Sequence, residues 1–181
     1  MQLRKGEEFV FCPQENQEYV VKSGVLVRPH LVSDRMRVHV QYLLPGDVFG
    51  RDVLASGRMD QVVYEALTPA EVLSSGPDGE SVARQLDRSM MIAGLLSVPV
   101  AITRVAAFLL WASGTPLFSK VDGALVCNLS HEVLSECVRL GREHTTKVLN
   151  EVQGCGGVKL GYRRLELTDF RALEDLVHQH N

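Results

Sequence analysis

The sequence lacks three things, and each absence removes a class of function. Its four cysteines, Cys12, Cys127, Cys137 and Cys155, form no CxxC pair. Zinc ribbons and CxxC redox chemistry therefore have no support, and reduced thiols in a cytosolic protein are expected. There is no long apolar run. No stretch without a formal charge exceeds 15 residues, and one of that length, Ser89 to Thr103, contains Pro99, whereas a membrane span needs about 20. The opening residues, MQLRKGEEFV, have no apolar signal core, so a soluble, cytoplasmic protein is expected. Nor is there an excess of positive charge: 19 Lys and Arg against 22 Asp and Glu leave a net −3. A purely basic nucleic-acid tail is excluded.

What remains is globular. A chain of 181 residues, 45% hydrophobic and 23% charged, is one large domain or two small ones, not a disordered or rod-like protein. Charge is unevenly placed. Residues 1–80 hold 8 cations and 12 anions, a net −4. Between Arg139 and Arg164 six cations (Arg139, Arg142, Lys147, Lys159, Arg163, Arg164) face two anions (Glu143, Glu151), a local +4. A polyanion partner is expected there.

The pattern divides the chain into three segments. Up to residue 79 it reads as β. Met36 to Tyr42 alternates apolar and polar, as in a half-buried strand. Tyr19-Val20-Val21 and Val25-Leu26-Val27 flank Lys22-Ser23-Gly24, a tight turn, and Gln61 to Leu67 is another strand. Residues 80–113 read as helix, with Leu86, Met90, Ala93 and Ser97 in one stripe, a hinge at Pro99, and a second helix burying Ile102, Val105, Ala106, Leu109 and Leu110. Residues 116–181 read as helical with a short β ribbon. Ser130 caps a helix that buries Val133, Leu134, Cys137 and Val138. After a break at Arg139-Leu140-Gly141, a helix over about 141–152 buries Thr145, Val148, Leu149 and Val152. Its other face shows Arg142, Glu143, Thr146, Lys147 and Asn150. Two helices joined by so short a turn form a helix-turn-helix, and Val158 to Leu167 supplies a two-stranded wing. His178 and His180 lie in a tail expected to fray.

These elements resemble, in order and size, the Crp/Fnr family of bacterial transcription regulators. The motifs that carry the likeness are Leu3-Arg4-Lys5-Gly6-Glu7, Tyr19-Val20-Val21-Lys22-Ser23-Gly24 (a YxVxSG hairpin) and Leu44-Pro45-Gly46-Asp47-Val48-Phe49-Gly50 (LxPGDxFG). To these are added the helix-turn-helix from Leu129 to Leu149 and the wing strand Tyr162 to Leu167. The resemblance implies an α+β fold: an N-terminal antiparallel, jelly-roll-like β-roll (1–79), a long dimerisation helix (80–98) and a C-terminal winged helix-turn-helix (99–181). It implies a homodimer on palindromic promoter DNA, working with RNA polymerase and without catalysis, and it places the Leu86, Met90, Ala93 and Ser97 stripe at the dimer interface.

DNA reading also follows from the chemistry. Arg suits the O6/N7 acceptor pair of guanine, and Glu accepts from the N4 amino group of cytosine. The family's Arg-Glu-x-x-x-Arg pattern stands here as Arg142, Glu143 and Lys147. Lysine lacks a bidentate fork, so Lys147 is assigned to phosphate. Thr146, Lys159, Arg163 and Arg164 are further phosphate clamps, which position without specifying. Arg139 occupies a turn position that is commonly glycine in the family and adds a cation, and His144 stands where Thr is usual.

The sensing pocket is altered. Cyclic-nucleotide-binding relatives place a Glu after Phe-Gly and an Arg-Ser/Thr pair before the next strand. Here Arg51 follows Phe49-Gly50, and Asp60-Gln61 occupies the later position. An aspartate facing a phosphate is repulsive, so independence from cyclic AMP is expected, with Arg51 and Asp60 pairing to fill the site. Only Cys12 lies near the N-terminus, against an iron–sulfur sensor, and the six histidines show no ligand spacing. No cofactor or metal is expected. The rival reading is a small-molecule-binding β domain that acts through protein contacts without touching DNA.

Overall fold

The computed structural model describes residues 1–12, 17–33, 36–50, 61–75, 79–162 and 164–179. They fall into two compact units, Met1–Met91 and Ile92–Asn181.

The first unit is an antiparallel roll. β1 (Gln2–Leu3), β3 (Glu18–Ser23), β6 (Val48–Phe49) and β8 (Ala70–Ser75) form one sheet in the order β1-β8-β3-β6. A second sheet, β2-β7-β4-β5, joins β2 (Glu8–Phe11), β4 (Leu26–Ser33), β5 (Met36–Leu43) and β7 (Val62–Ala66). Alternate residues of both sheets meet in one core: Leu3, Val21, Phe49, Ala70 and Val72 from the first, Phe9, Phe11, Leu26, Leu43, Val62, Tyr64 and Ala66 from the second. Between the strands, Leu44-Pro45-Gly46-Asp47 closes a turn in which Asp47 N donates to Leu44 O at 2.9 Å and Gly46 takes φ +90°. Proline second and glycine third are what a type II turn requires.

Two sequence expectations for this unit need correction. Lys22-Ser23-Gly24 is not a tight turn: Lys22 and Ser23 continue β3 and the chain bends only at Gly24, and the runs on either side are not hairpin partners, since β3 pairs with β6 and β8, and β4 with β5 and β7. The chain crosses from one sheet to the other there. Gly24 has φ +82°, and a Cβ on it would lie 2.2 Å from Pro69 O, so the crossover admits no side chain. The second correction is on β5. Strict alternation would bury Val40 and expose His39; instead His39 is buried and Val40 exposed. Arg28 pairs with Gln41 but Pro29 with His39, so Val40 is the extra residue of a β-bulge. Pro29 has no N–H for the ladder, and the bulge sits where the register shifts at that residue.

α1 (Gly79–Ser97) follows the roll, ending just short of Pro99 as expected. α2 (Ala101–Ser113) buries Thr103, Val105, Ala106, Phe108, Leu109 and Ala112, with Ile102 and Leu110 only half-buried. Beyond it the second unit holds more β structure than the sequence reading expects. β9 (Phe118–Val121) and β10 (Ala124–Cys127) form a hairpin around Asp122-Gly123, both with positive φ. β10 also pairs with β12 (Arg164–Leu167), and β12 with β11 (Val158–Gly161). The two-stranded wing is thus the edge of a four-stranded sheet, β11-β12-β10-β9. The signal for the missed hairpin was an Asp-Gly pair between two apolar runs. The chain then forms α5 (Phe170–His178), capped by Asp169 Oδ1, which accepts from Arg171 N and Ala172 N. Of the tail expected to fray, His178 is helical, and His180 lies outside the described residues.

Candidate nucleic-acid interface

α3 (His131–Val138) starts where Ser130 predicts: its Oγ accepts from Val133 N at 3.2 Å, satisfying one of the free amides of the first turn. It buries Leu134, Ser135, Cys137 and Val138, and Val133 is half-buried. Arg139 ends it in the left-handed region, φ 53° and ψ 48°. Arg139 N donates to Glu136 O and Leu140 N to Ser135 O at 3.0 Å, which closes the helix's carboxyl end. A non-glycine residue in that conformation costs roughly 1–2 kcal/mol. The turn geometry that glycine usually supplies is therefore kept, under strain, by Arg139.

α4 (Arg142–Gly154) begins three residues after Arg139. No side chain caps its amino end, so its first amides and the positive end of its dipole stay open to an anion. Thr145, Val148, Leu149 and Val152 are buried, as the spacing predicts. Arg142, Glu143, Thr146, Lys147 and Asn150 are exposed, and so is His144. The helix thus turns one apolar face inward and presents an arginine, a glutamate and a lysine outward, within one and a half turns. Thr146 differs from its neighbours in its chemistry. Its hydroxyl donates to Arg142 O at 3.1 Å, and phosphate oxygens only accept, so its one proton is committed to the helix.

The wing residues differ among themselves. Lys159 is exposed on β11. Arg164, on β12, is half-buried and its Nε lies 2.5 Å from Glu166 Oε1; a cation so held is a poor clamp. Tyr162, in the turn between the strands, is 91% exposed. Arg163 lies outside the described residues. Arg139 is exposed at the turn.

Of the expected sensing residues, Arg51 and Asp60 lie outside the described residues, as does their pairing. Phe49 is buried and Gln61 exposed. Three rings pack around Phe49: Phe9 at 5.5 Å, Tyr19 at 5.8 Å and Tyr64 at 4.8 Å between centroids. Gly50 lies against Phe11, so closely that a Cβ would stand 2.4 Å from the ring.

The helical stripe is plainly placed. Leu86 is 60% and Met90 66% exposed, with Ala93 and Ser97 also open. Leu86 and Met90 do not cover the roll. That task falls to Gln85, which donates to Val48 O at 2.7 Å and accepts from Gln41 Nε2, and to Arg88, which donates to the Asp47 carboxylate and to Tyr42 O.

Among the described residues no group of three His, Cys, Asp or Glu side chains is placed to hold a metal. No helix there is long and apolar enough to cross a membrane. One residue that sequence reasoning passed over touches the helix-turn-helix directly: Arg104, on α2, donates to the carbonyls of Val138 and Arg139. Its only sequence signal is a lone cation in an apolar helix.

Residues 103–176 match the Crp-like helix-turn-helix domain. The transcriptional regulator LdrP of Thermus thermophilus is 30% identical over 166 residues, which cover 86% of this chain and 85% of that protein. SdrP of Thermus thermophilus, also a transcriptional regulator, is 28% identical over 90% of this chain and 84% of its own length. A crystal structure of a CRP-family transcriptional regulator from the same organism superposes with a TM-score of 0.86 at 26% identity, covering 98% of this chain and 96% of that one.

Proposed function

Because the chain belongs to the Crp/Fnr family of transcription regulators, we propose that it works as a homodimer that reads a palindromic promoter site with α4. The observation that carries this is the face of α4: Arg142, Glu143 and Lys147 exposed together beside an uncapped amino end, behind a properly closed α3 and turn. Arg142 and Glu143 are assigned to base edges. Lys147, Lys159 and Arg139 are assigned to phosphates, and Arg163 with them from the sequence alone. Thr146 and Arg164 rank below these, since each is engaged within the chain.

The chain is assigned to residues 1–79 as the roll, 80–98 as the dimerisation helix and 99–181 as the DNA-binding domain. Dimerisation through α1 is supported by the Leu86, Met90, Ala93 and Ser97 stripe, apolar or small along its length and uncovered. Two copies of α4 then meet successive major grooves, about 34 Å apart. RNA polymerase is the further partner, the cytoplasm the compartment, and no catalysis is involved. Independence from cyclic AMP is supported by the sequence, where Arg51 and Asp60 stand at positions that hold a Glu and an Arg in nucleotide-binding relatives.

The test is selection of bound duplexes from a random library, followed by anisotropy titration with and without cyclic AMP. The expected result is a two-fold-symmetric site, bound equally in both conditions. Enrichment of no sequence, or tighter binding with the nucleotide, contradicts the proposal in its first or second part.

A further inference from the structure

α1 and α3 both end on main-chain carbonyls with no cation in the helix's own last turn. α1 stops at Ser97. Pro99 has no N–H to extend the first of these helices. The carbonyls past both ends face the negative pole of a helix dipole, and among the described residues the only cation directly following either end is Arg139, which caps α3 with its side chain exposed.

One side chain serves both. Arg104 lies in the first turn of α2, where its own N–H donates to Val100 O at 3.0 Å. From there its Nε donates to Val98 O at 3.0 Å and its Nη2 reaches Pro99 O at 3.4 Å. Its Nη1 turns the other way, to Val138 O at 3.3 Å and Arg139 O at 3.5 Å. Only the planar five-donor fork of arginine spans two such sets of acceptors at once. Next to it, buried Thr103 donates to Leu176 O at 3.2 Å, which fixes the start of α2 against α5.

We infer that Arg104 is a positioning residue for DNA reading: its guanidinium fastens the hinge at Val98–Pro99 to the turn that launches α4. The deduction rests on the proposed role of α4, but the coupling of hinge to turn stands on the contacts alone. Arg139 holds the turn in a strained left-handed conformation, and a charged donor on its carbonyl and that of Val138 keeps it there. A change in the course of the chain at Val98–Pro99 is thereby carried to the turn preceding Arg142.

The experiment compares the parent with Arg104→Met and Arg104→Lys, using backbone hydrogen exchange and DNA titration. Arg104→Met keeps the apolar stem and removes every donor. In it, exchange rises together in the hinge peptide and in the peptide carrying Leu140 N. Affinity for the selected site falls about tenfold, while affinity for unrelated duplex changes by less than about twofold. Arg104→Lys, a point charge with no fork, restores protection to one segment and not the other. Faster exchange confined to one segment in Arg104→Met overturns the inference, as does an unchanged ratio of specific to unrelated binding. Should Arg104→Met fail to fold, Arg104→Lys decides alone: parent-like exchange at both segments rejects the fork. Should the parent itself select no site, the DNA reading fails while the exchange comparison still judges the coupling.

Discussion

Arg88 on α1 donates to the carboxylate of Asp47, a side chain with only 1% of its surface exposed at the closing residue of the Leu44–Asp47 turn. The same carboxylate accepts from Leu44 N at 2.7 Å, and Arg88 also donates to Tyr42 O at 3.0 Å. The pair ties the long helix to the roll at a point where neither partner is readily hydrated. Removing one member of such a pair strands the other. Arg88→Met is expected to lower the unfolding free energy by about 3–5 kcal/mol. The double change Arg88→Met with Asp47→Asn recovers a good part of that loss, because the stranded charge is gone. Urea unfolding of the two variants is the check, and equal loss in both contradicts it.

His39 gives the roll an acid limit. Burial, and then the neighbouring Arg37, lower its pKa to about 4. The imidazole is also packed edge-on to Tyr42 at 6.0 Å. The unfolded chain takes up the proton near pH 6.5, so between pH 6.5 and 4 it binds more protons than the folded one. The stability attached to neutral His39 is complete above pH 6.5 and is lost as the pH falls toward 4. Between pH 7 and 4.5 that loss is about 2–3 kcal/mol. In His39→Leu, the unfolding free energy measured over the same interval is expected to fall by that much less. Parallel pH curves for the two proteins count against the assignment.

How far the sequence revealed the molecule depends on whether the cause of a feature lay nearby in the chain. The face of α4 was legible because helical periodicity alone sorts Thr145, Val148, Leu149 and Val152 from Arg142, Glu143 and Lys147. The start of α3 was legible because Ser130 caps its own next turn. The inversion of His39 and Val40 was not, because the bulge answers to Pro29 on the neighbouring strand. The same holds for the crossing at Gly24, where the obstacle to a side chain is Pro69 and Ala70. Arg104 escaped notice for a similar reason: its far acceptors are main-chain carbonyls, 34 and 35 residues away, and carbonyls leave no mark in composition. The β9–β10 hairpin is different, since Asp122-Gly123 announces it locally.

The turn between α3 and α4 yields a test that separates stability from affinity. Arg139 sits at φ 53°, which costs it roughly 1–2 kcal/mol, and glycine takes that conformation freely but gives back part of the gain in chain entropy. Arg139→Gly is expected to raise stability by about 0.5–1 kcal/mol in chemical denaturation. It also removes an exposed cation, so affinity for DNA falls and one counterion's worth of salt dependence disappears. A variant that is both less stable and unchanged in salt slope contradicts both halves.

The exposed stripe on α1 predicts how the protein assembles. An acidic group in the middle of an apolar helix pair is desolvated without a partner. Leu86→Glu combined with Met90→Glu is expected to shift the protein from dimer to monomer in sedimentation equilibrium while its circular dichroism stays that of the parent, since both side chains are largely exposed in the single chain. Retention of the dimer removes α1 from the interface.

Specificity and affinity should separate along the interface itself. Arg142 and Glu143 offer a donor fork and an acceptor, the two patterns that distinguish guanine and cytosine in the major groove. Arg142→Ala and Glu143→Ala are each expected to reduce discrimination of the selected site over unrelated duplex by about 1–3 kcal/mol. Lys159, exposed on the wing, answers only to charge, so Lys159→Ala weakens all duplexes alike and lowers the salt slope by about one. Thr146→Val supplies the contrast: its proton is already given to Arg142 O, and affinity is expected to change by less than about twofold, well under the worth of a charge-assisted hydrogen bond. Anisotropy titrations of the four variants at three salt concentrations measure all of these. Arg142→Ala binding the selected site like the parent, beside a damaging Thr146→Val, means that α4 enters the groove by another face.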